Sequence, residues 1–283
     1  MGATKIPWTD AVWNVTSGCT PISPGCQNCY AERMSKRLAG RCGYPKDEPF
    51  AVTVHLERLD ELMTWRKPRR VFVCSMGDLF HEKVPNAFLD NVFTVMACRP
   101  QHTYLVLTKR PKRMADYITR HVSNYLDPYD LTWTGEYPHV WLGVTAENQA
   151  AADERIPLLL QTPAAKRFVS VEPMLGPVDL DTTWLKCAGI THCDRRKGGG
   201  GPQSRGEAAR CSPPCPARLD WVICGCESGP NRRALSPDWV RALRDECVTA
   251  NVFFFLKQLP SVDGSKVIKM PVFDGQEWRQ WPE

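Results

Sequence analysis

The sequence predicts an α/β fold, a partial (β/α) barrel of about six or seven parallel strands with a cysteine-rich insertion. Three observations support this prediction. Short apolar runs alternate with helical patterns, as expected of parallel strands joined by crossover helices. The strand-like runs are apolar at nearly every residue, which is typical of strands covered on both faces. Residues 187–215 break the pattern with a glycine run and four cysteines. A flat doubly wound sheet is the alternative architecture.

The predicted elements follow in chain order. Apolar, β-branched runs predict strands at residues 71–75, 104–108, 140–145, 167–171, 221–224 and 252–256, after a short first strand around 11–14. Helices are predicted at residues 30–39, 86–97, 111–121, 148–160 and 237–250. Pro111 stands in the first turn of its helix, where proline is tolerated, and Ser236 is a suitable N-cap.

The breaks in this pattern suggest three regions. Residues 1–186 and 219–260 form the predicted barrel, and residues 187–218 form a cysteine-rich metal-binding insertion. The segment 261–283 is expected to pack on the barrel through Trp278 and Trp281.

Composition excludes several classes of protein. The 283 residues are 43% hydrophobic and 24% charged, which argues against disorder and collagen-like structure. The sequence contains no run of ~18 apolar residues, so no membrane span is expected. The first residues lack the pattern of a signal peptide, so a cytoplasmic protein is expected. The net charge of +5 permits a polyanionic partner without requiring one.

Three of the 13 cysteines lie close together near the start of the chain. Cys19, Cys26 and Cys29 have the spacing C-x6-C-x2-C in a loop that follows the first predicted strand. Three thiolates can bind three corners of an iron–sulfur cluster and leave one iron open. Zinc, with Cys42 or a histidine as fourth ligand, is equally compatible with the spacing. In βα barrels this loop lies at the face that carries the active site.

A second group of cysteines lies in the insertion. Cys187, Cys193, Cys211 and Cys215 form two pairs that are similar to those of a structural zinc ribbon. A second iron–sulfur cluster and four unligated thiols are the alternatives.

With three cysteines after its first strand, the chain resembles the radical S-adenosylmethionine superfamily, although the usual spacing there is C-x3-C-x2-C. More closely, it resembles a phage-associated family of radical-SAM-like proteins over residues 4–260, the insertion excepted. The matching stretches are WTD (8–10), WN (13–14), GC (18–19), PGCQNCYAE (24–32), SMGDLF (75–80), LTKR (107–110), GVTAEN (143–148), SVEP (170–173), ESGP (227–230) and FLKQ (255–258).

The resemblance implies a 4Fe-4S cluster on Cys19, Cys26 and Cys29. S-adenosylmethionine would chelate the open iron, and electron transfer from a donor such as flavodoxin or ferredoxin would generate a 5′-deoxyadenosyl radical. The resemblance also places Ser75 and Asp78 near the methionine amino group of S-adenosylmethionine.

Polar residues end every predicted barrel strand. Thr108 and Lys109 could bind the methionine carboxylate, and Glu147 could bind the ribose hydroxyls or the amino group. Glu172, Glu227 and Lys257 are candidates for substrate contact or proton handling. For each of these residues, helix capping or solvated charge is the structural alternative.

Basic clusters at 66–70, 109–113, 195–197 and 232–233 could follow a phosphate backbone. Trp8, Trp13, Trp65 and Trp133 could stack on bases. With the phage resemblance, these features favour isomerisation of a hypermodified base in DNA, such as an aminoacyl-thymine, in the host cytoplasm if the chain is phage-encoded. Alternatives are a lesion-repair lyase similar to spore photoproduct lyase, a peptide-modifying enzyme and a zinc-stabilised nucleic-acid-binding protein without catalysis.

Overall fold

The structure is a computed structural model that describes residues 4–119, 137–185 and 217–282. Its strands are β1 (Ala11–Trp13), β2 (Thr16–Ser17), β3 (Thr53–Val54), β4 (Arg70–Val73), β5 (Thr103–Thr108), β6 (Val140–Thr145), β7 (Lys166–Val171), β8 (Trp221–Gly225), β9 (Phe253–Pro260), β10 (Val267–Lys269), β11 (Val272–Phe273) and β12 (Gln276–Glu277). Its α-helices are α1 (Tyr30–Leu38), α2 (Asn86–Ala97), α3 (Pro111–Tyr117), α4 (Gln149–Gln161), α5 (Thr182–Leu185) and α6 (Pro237–Ala250). Short 3-10 helices span Pro24–Cys26 and Leu56–Thr64.

Eight strands form one mostly parallel sheet in the order β1-β4-β5-β6-β7-β8-β9-β10. The pairs from β1 to β9 are parallel, and β10 pairs with β9 antiparallel. The parallel strands follow the order of the chain, whereas a doubly wound sheet reverses its order at a switch point. The predicted partial barrel is therefore confirmed, and the doubly wound alternative is wrong.

The two faces of the sheet have different cores, because successive strand residues point to opposite faces. Helix residues such as Leu89, Met114, Ile156 and Val240 share one core with the valines of the strands. The other face is filled mainly by aromatic residues: Trp8, Trp141, Phe168, Trp221 and Phe255, with Trp281 packed against them. This second face is the inside of the partial barrel.

The cysteine-rich insertion falls almost wholly outside the described residues. The prediction for Cys187, Cys193, Cys211 and Cys215 lies outside the structure for this reason, and the division into regions stays a prediction. Within the ranges that the structure describes, no helix is both long and apolar enough to cross a membrane.

Candidate active site

A cavity of about 1130 Å³ opens where the parallel strands end at their carboxyl termini. Residues at or just after the ends of seven strands line it, together with the predicted cysteine loop. The lining includes Asn14, Ser75, Asp78, Thr108, Lys109, Arg110, Thr145, Ser170, Glu172, Cys226, Glu227, Lys257 and Gln258, and also Cys19, Cys26 and Cys29. Of the predicted site residues that the structure describes, all but one therefore lie at one cavity.

That exception is Glu147, which lies beneath the cysteine loop. Its carboxylate is fully buried, pairs with Arg155 at 2.9 Å and accepts a bond from the backbone N–H of Gly25 at 3.4 Å. Burial would raise the pKa of Glu147, but a hydrogen bond from Ser23 and the charges of Arg155 and Lys109 outweigh it and lower this pKa. Glu147 is therefore ionised and supports the loop.

The cysteine loop starts at position 18, where only a glycine fits without strain. Gly18 has a φ of 80°, and a Cβ there would lie 2.1 Å from the carbonyl oxygen of Ala51. Its N–H donates to the carbonyl of Met76 at 2.9 Å. This close approach of the backbone fixes the position of Cys19, the next residue. Cys19, Cys26 and Cys29 are all free thiols.

Cys19 is held by a buried arginine. Arg110 donates from Nη1 to the Cys19 sulfur at 3.4 Å and to Asp78 at 3.2 Å, and from Nη2 to the Thr20 carbonyl at 3.1 Å. Burial, with the charge of Asp78, raises the pKa of Cys19 to about 11, although Arg110 acts in the opposite direction. The free thiol is therefore protonated at neutral pH.

Cys26 has a different environment. Burial alone would raise the pKa of its thiol, but the charge of Lys109 and hydrogen bonds from Ile22 and Ser23 lower it below its usual value. The Lys109 side chain lines the cavity and makes no hydrogen bond or ion pair in the described part of the chain. Lys109 is thus a cation next to Cys26 that is available to an anionic group.

Asp78 does not present a free carboxylate to the cavity. It accepts from the Thr108 hydroxyl at 2.7 Å, from the Lys109 backbone N–H at 3.1 Å and from Arg110. Asp78 and Thr108 therefore hold Arg110 and the end of β5 in place. Ser75 donates to Asn14 at 3.2 Å and keeps its position at the cavity.

Glu227 supports the far end of the cysteine loop. It pairs with Arg233 and accepts from Asn28 at 2.9 Å, while Arg233 also donates to the Pro24 carbonyl at 3.0 Å. Burial opposes ionisation, but the bonds from Arg233 and Asn28 lower the pKa of Glu227.

Glu172 and Lys257 form an ion pair across the ends of β7 and β9. Both are half-buried and line the cavity, and Gln258 donates to Glu172 at 3.4 Å. Across the residues that the structure describes, no hydrogen bond or ion pair links this pair to the cysteine loop, so these two groups remain directed to the cavity.

The donor set fits an iron–sulfur cluster chemically. Three free thiols line one cavity, and Lys109 and Arg110 place positive charge beside two of them. In the described ranges no three His, Cys, Asp or Glu side chains are close enough to share one metal ion. A cuboidal cluster binds each thiolate through a different iron, so its ligands need not converge on one ion.

The sequence analysis placed Arg110 and Arg233 in basic clusters but did not predict that they hold the cysteine loop, and it did not single out Arg155. The one sequence signal for this role is spacing: each arginine lies within eight residues of an acidic or polar residue at a strand end. The stacking hypothesis is wrong for Trp8, Trp13 and Trp65, because all three are buried in the core; Trp133 lies outside the described residues. Among the residues of the predicted basic clusters, Arg70 forms an ion pair with Asp10.

Together, the fold and the cavity define an α/β partial barrel with a cysteine-bearing loop at the carboxyl ends of its strands. The chain belongs to the family described as "Protein of unknown function (DUF5131)", whose model matches residues 3–282. A comparison with curated proteins found no match. Among solved structures, the chain is similar to "Spore photoproduct lyase complexed with dinucleoside spore photoproduct", with a TM-score of 0.47, 10% identity, and coverage of 90% of this chain and 78% of that one. A TM-score of this size supports no conclusion about function.

Proposed function

We propose that the chain binds a 4Fe-4S cluster through Cys19, Cys26 and Cys29 and uses S-adenosylmethionine for radical chemistry on a base in DNA. The observation that carries the proposal is the position of three free thiols on one loop, at the carboxyl ends of the parallel strands, around one polar cavity. In barrel enzymes this face holds the active site.

The same loop argues against a zinc site. A structural zinc ion needs four ligands at one point, and the described residues offer no group of three. The three thiols suit a larger group that spreads its ligands over several irons and keeps one position open.

S-adenosylmethionine, when bound with such a cluster, supplies a carbon radical that removes hydrogen from a substrate. The protein would hold it with residues already at the cavity. The Lys109 ammonium would bind the methionine carboxylate as a charge-assisted pair, and the Ser75 hydroxyl lies at the neighbouring strand end.

Within this proposal, the acidic residues divide into two roles. Asp78, Glu147 and Glu227 are positioning residues, since each pairs with an arginine and contacts the cysteine loop or its support. Glu172 and Lys257 face the cavity and would contact the substrate or move a proton, because their ion pair can exchange partners with a bound polar group.

The proposed substrate is a hypermodified base, such as an aminoacyl-thymine in phage DNA, that would be isomerised after extrusion from the duplex. A cytoplasmic flavodoxin or ferredoxin would supply the electron. The metal on Cys187, Cys193, Cys211 and Cys215, zinc or a second cluster, belongs to the same set of proposals.

Anaerobic reconstitution with iron and sulfide tests the cluster. We expect a brown protein with absorption near ~400 nm, and a loss of iron in C19S, C26S and C29S relative to the wild type. C42S is the matched control, since Cys42 is exposed and does not line the cavity. Zinc as the sole bound metal, or equal iron in all four variants, would contradict the proposal.

A second assay tests the chemistry. The reduced holoprotein is incubated with S-adenosylmethionine and either hypermodified or unmodified phage DNA, and 5′-deoxyadenosine is measured. We expect formation that depends on the cluster cysteines and increases with the modified DNA. Equal formation with both DNAs would contradict the substrate and leave the radical chemistry intact.

A further inference from the structure

Three lysines line the cavity at the β9–β10 edge of the sheet. Lys257 is on β9, Lys269 is on the edge strand β10, and Lys5 lies in the segment that precedes β1. All three line the cavity. We call Lys5, Lys257 and Lys269 the lysine cluster.

The contacts within the lysine cluster leave positive charge unbalanced. Lys269 Nζ donates to the backbone carbonyl of Lys5 at 2.6 Å, and Lys257 pairs with Glu172. In the ranges that the structure describes, Glu172 is the one carboxylate paired with the cluster, so three cations face one anion. Burial and the charges of Lys257 and Lys5 lower the pKa of Lys269, as expected of like charges held close together.

A buried donor belongs to the lining of the same cavity. Trp8 is three residues after Lys5 and is 2% exposed, yet within the described ranges its indole Nε1–H has no hydrogen-bond partner. A buried N–H without a partner costs free energy, and few such groups persist in native proteins. A ligand atom that accepts a hydrogen bond would satisfy it.

We propose that the lysine cluster and Trp8 form a binding site for a phosphate group of the substrate. The excess of two positive charges matches the charge of a phosphate monoester, about −1.5 to −2 at neutral pH, or of two adjacent phosphodiesters. A carboxylate would neutralise only one of the two. Lysine ammonium groups bind phosphate as point charges, and the indole N–H adds a directional donor.

This inference extends the proposed function. It depends on that proposal because the proposal identifies the cavity as the active site. It adds that a phosphate group of the substrate binds at the β9–β10 edge of the sheet. The binding test needs neither cluster nor radical chemistry, so the two proposals can fail separately.

The experiment measures binding of a short fluorescein-labelled oligothymidylate to the full-length chain by fluorescence anisotropy over a range of salt concentrations. We expect K5Q and K269Q each to weaken binding about fivefold and to reduce the slope of log K against log salt by about 1. K266Q is the matched control: Lys266 is exposed on the same hairpin but does not line the cavity.

Competition then identifies the group that is bound. Displacement of the probe by thymidine 5′-monophosphate but not by thymidine would support a site for one phosphate, and displacement by unlabelled oligothymidylate alone would support a site for the phosphodiester backbone. The proposal is overturned if the wild type does not bind the probe, if K5Q and K269Q behave like K266Q, or if thymidine competes as well as its monophosphate.

Discussion

At the scale of single residues, the acidic side chains at the strand ends bind arginines more than they face the cavity. Asp78, Glu147 and Glu227 each pair with an arginine, and all three are buried. A buried carboxylate needs such a partner, because desolvation without one is costly. The consequence is a cysteine loop held from three sides, at Cys19, at Gly25 and at Pro24.

Replacing Arg233 tests this support. Arg233→Gln keeps a polar side chain that is shorter and uncharged, so it leaves Glu227 with a weaker partner and removes the charge-assisted bond to the Pro24 carbonyl. We expect less iron per chain and weaker absorption near ~400 nm after reconstitution, with partial recovery in Arg233→Lys. Arg241→Gln is the control, since Arg241 pairs with Asp274 on the surface. Equal iron in the two glutamine variants would show that the loop does not depend on Arg233.

Replacing Glu147 tests the buried pair. Glu147→Gln leaves the guanidinium of Arg155 buried without a counter-charge, which typically costs about 3–5 kcal/mol. Urea unfolding should show this loss of stability, whereas Glu277→Gln, which alters an exposed pair with Arg279, should change stability by less than ~1 kcal/mol. Similar unfolding midpoints for the two variants would contradict the assigned role.

The pH dependence of stability gives an independent check on Glu147. Its folded-state pKa lies below the usual 4.5, so its contribution is present above about pH 4.5 and is lost as the pH falls through the folded-state pKa. The difference in unfolding free energy between wild type and Glu147→Gln should therefore shrink on acidification. A constant difference from pH 7 to pH 3 would argue against ionised Glu147.

At the scale of elements, the long strands and the short β1 were predictable, and the two-residue strands were not. Continuous apolar runs predicted β4 to β9 within a few residues, because strands covered on both faces need apolar side chains throughout. β2, β3, β11 and β12 have two residues each, too few to show a period. The polar strand ends were visible in the sequence, but their partners were not: Arg110 and Cys19 are 91 residues apart, and only the fold brings them together.

Gly18 links an element to the site, since it joins β2 to the cysteine loop. Gly18→Ala would place a Cβ against the backbone of Ala51 and would put an alanine in the left-handed conformation of position 18. We therefore expect a loss of about 2 kcal/mol or more in unfolding free energy, together with reduced iron content. Gly176→Ala is the matched control, because a Cβ there would have no neighbour within 4 Å. A Gly18→Ala protein as stable as Gly176→Ala would contradict the close approach.

At the scale of the whole molecule, the sheet is open, and the two ends of the described chain lie across its gap. β1 and β10 are its edges. The segment before β1 runs from Lys5, bound by Lys269 on β10, to Trp8 in the barrel interior. Near the other end of the chain, Gln280 donates to the carbonyl of Phe254 at 3.1 Å. In the same segment, Trp278 packs against Phe254 and Trp281 against Trp221 and Phe255.

Trp281 contacts two strands of the barrel that are not neighbours, β4 and β8. Its ring lies 4.6 Å from that of Trp221 on β8, and the guanidinium of Arg70 on β4 lies 4.0 Å over it. Trp281→Ala removes both contacts, and we expect a loss of about 2–3 kcal/mol in unfolding free energy, below the range for a fully buried tryptophan because Trp281 is half-buried.

Trp281→Phe separates the two contributions, because it keeps a ring against Trp221 while weakening the interaction with Arg70. Urea unfolding should order the proteins as wild type, Trp281→Phe and Trp281→Ala, with the wild type most stable. Since Trp281 closes the end of the barrel away from the cysteines, iron content after reconstitution should stay unchanged in both variants. A Trp281→Ala protein as stable as the wild type would mean that the sheet needs no closure by the C-terminal segment.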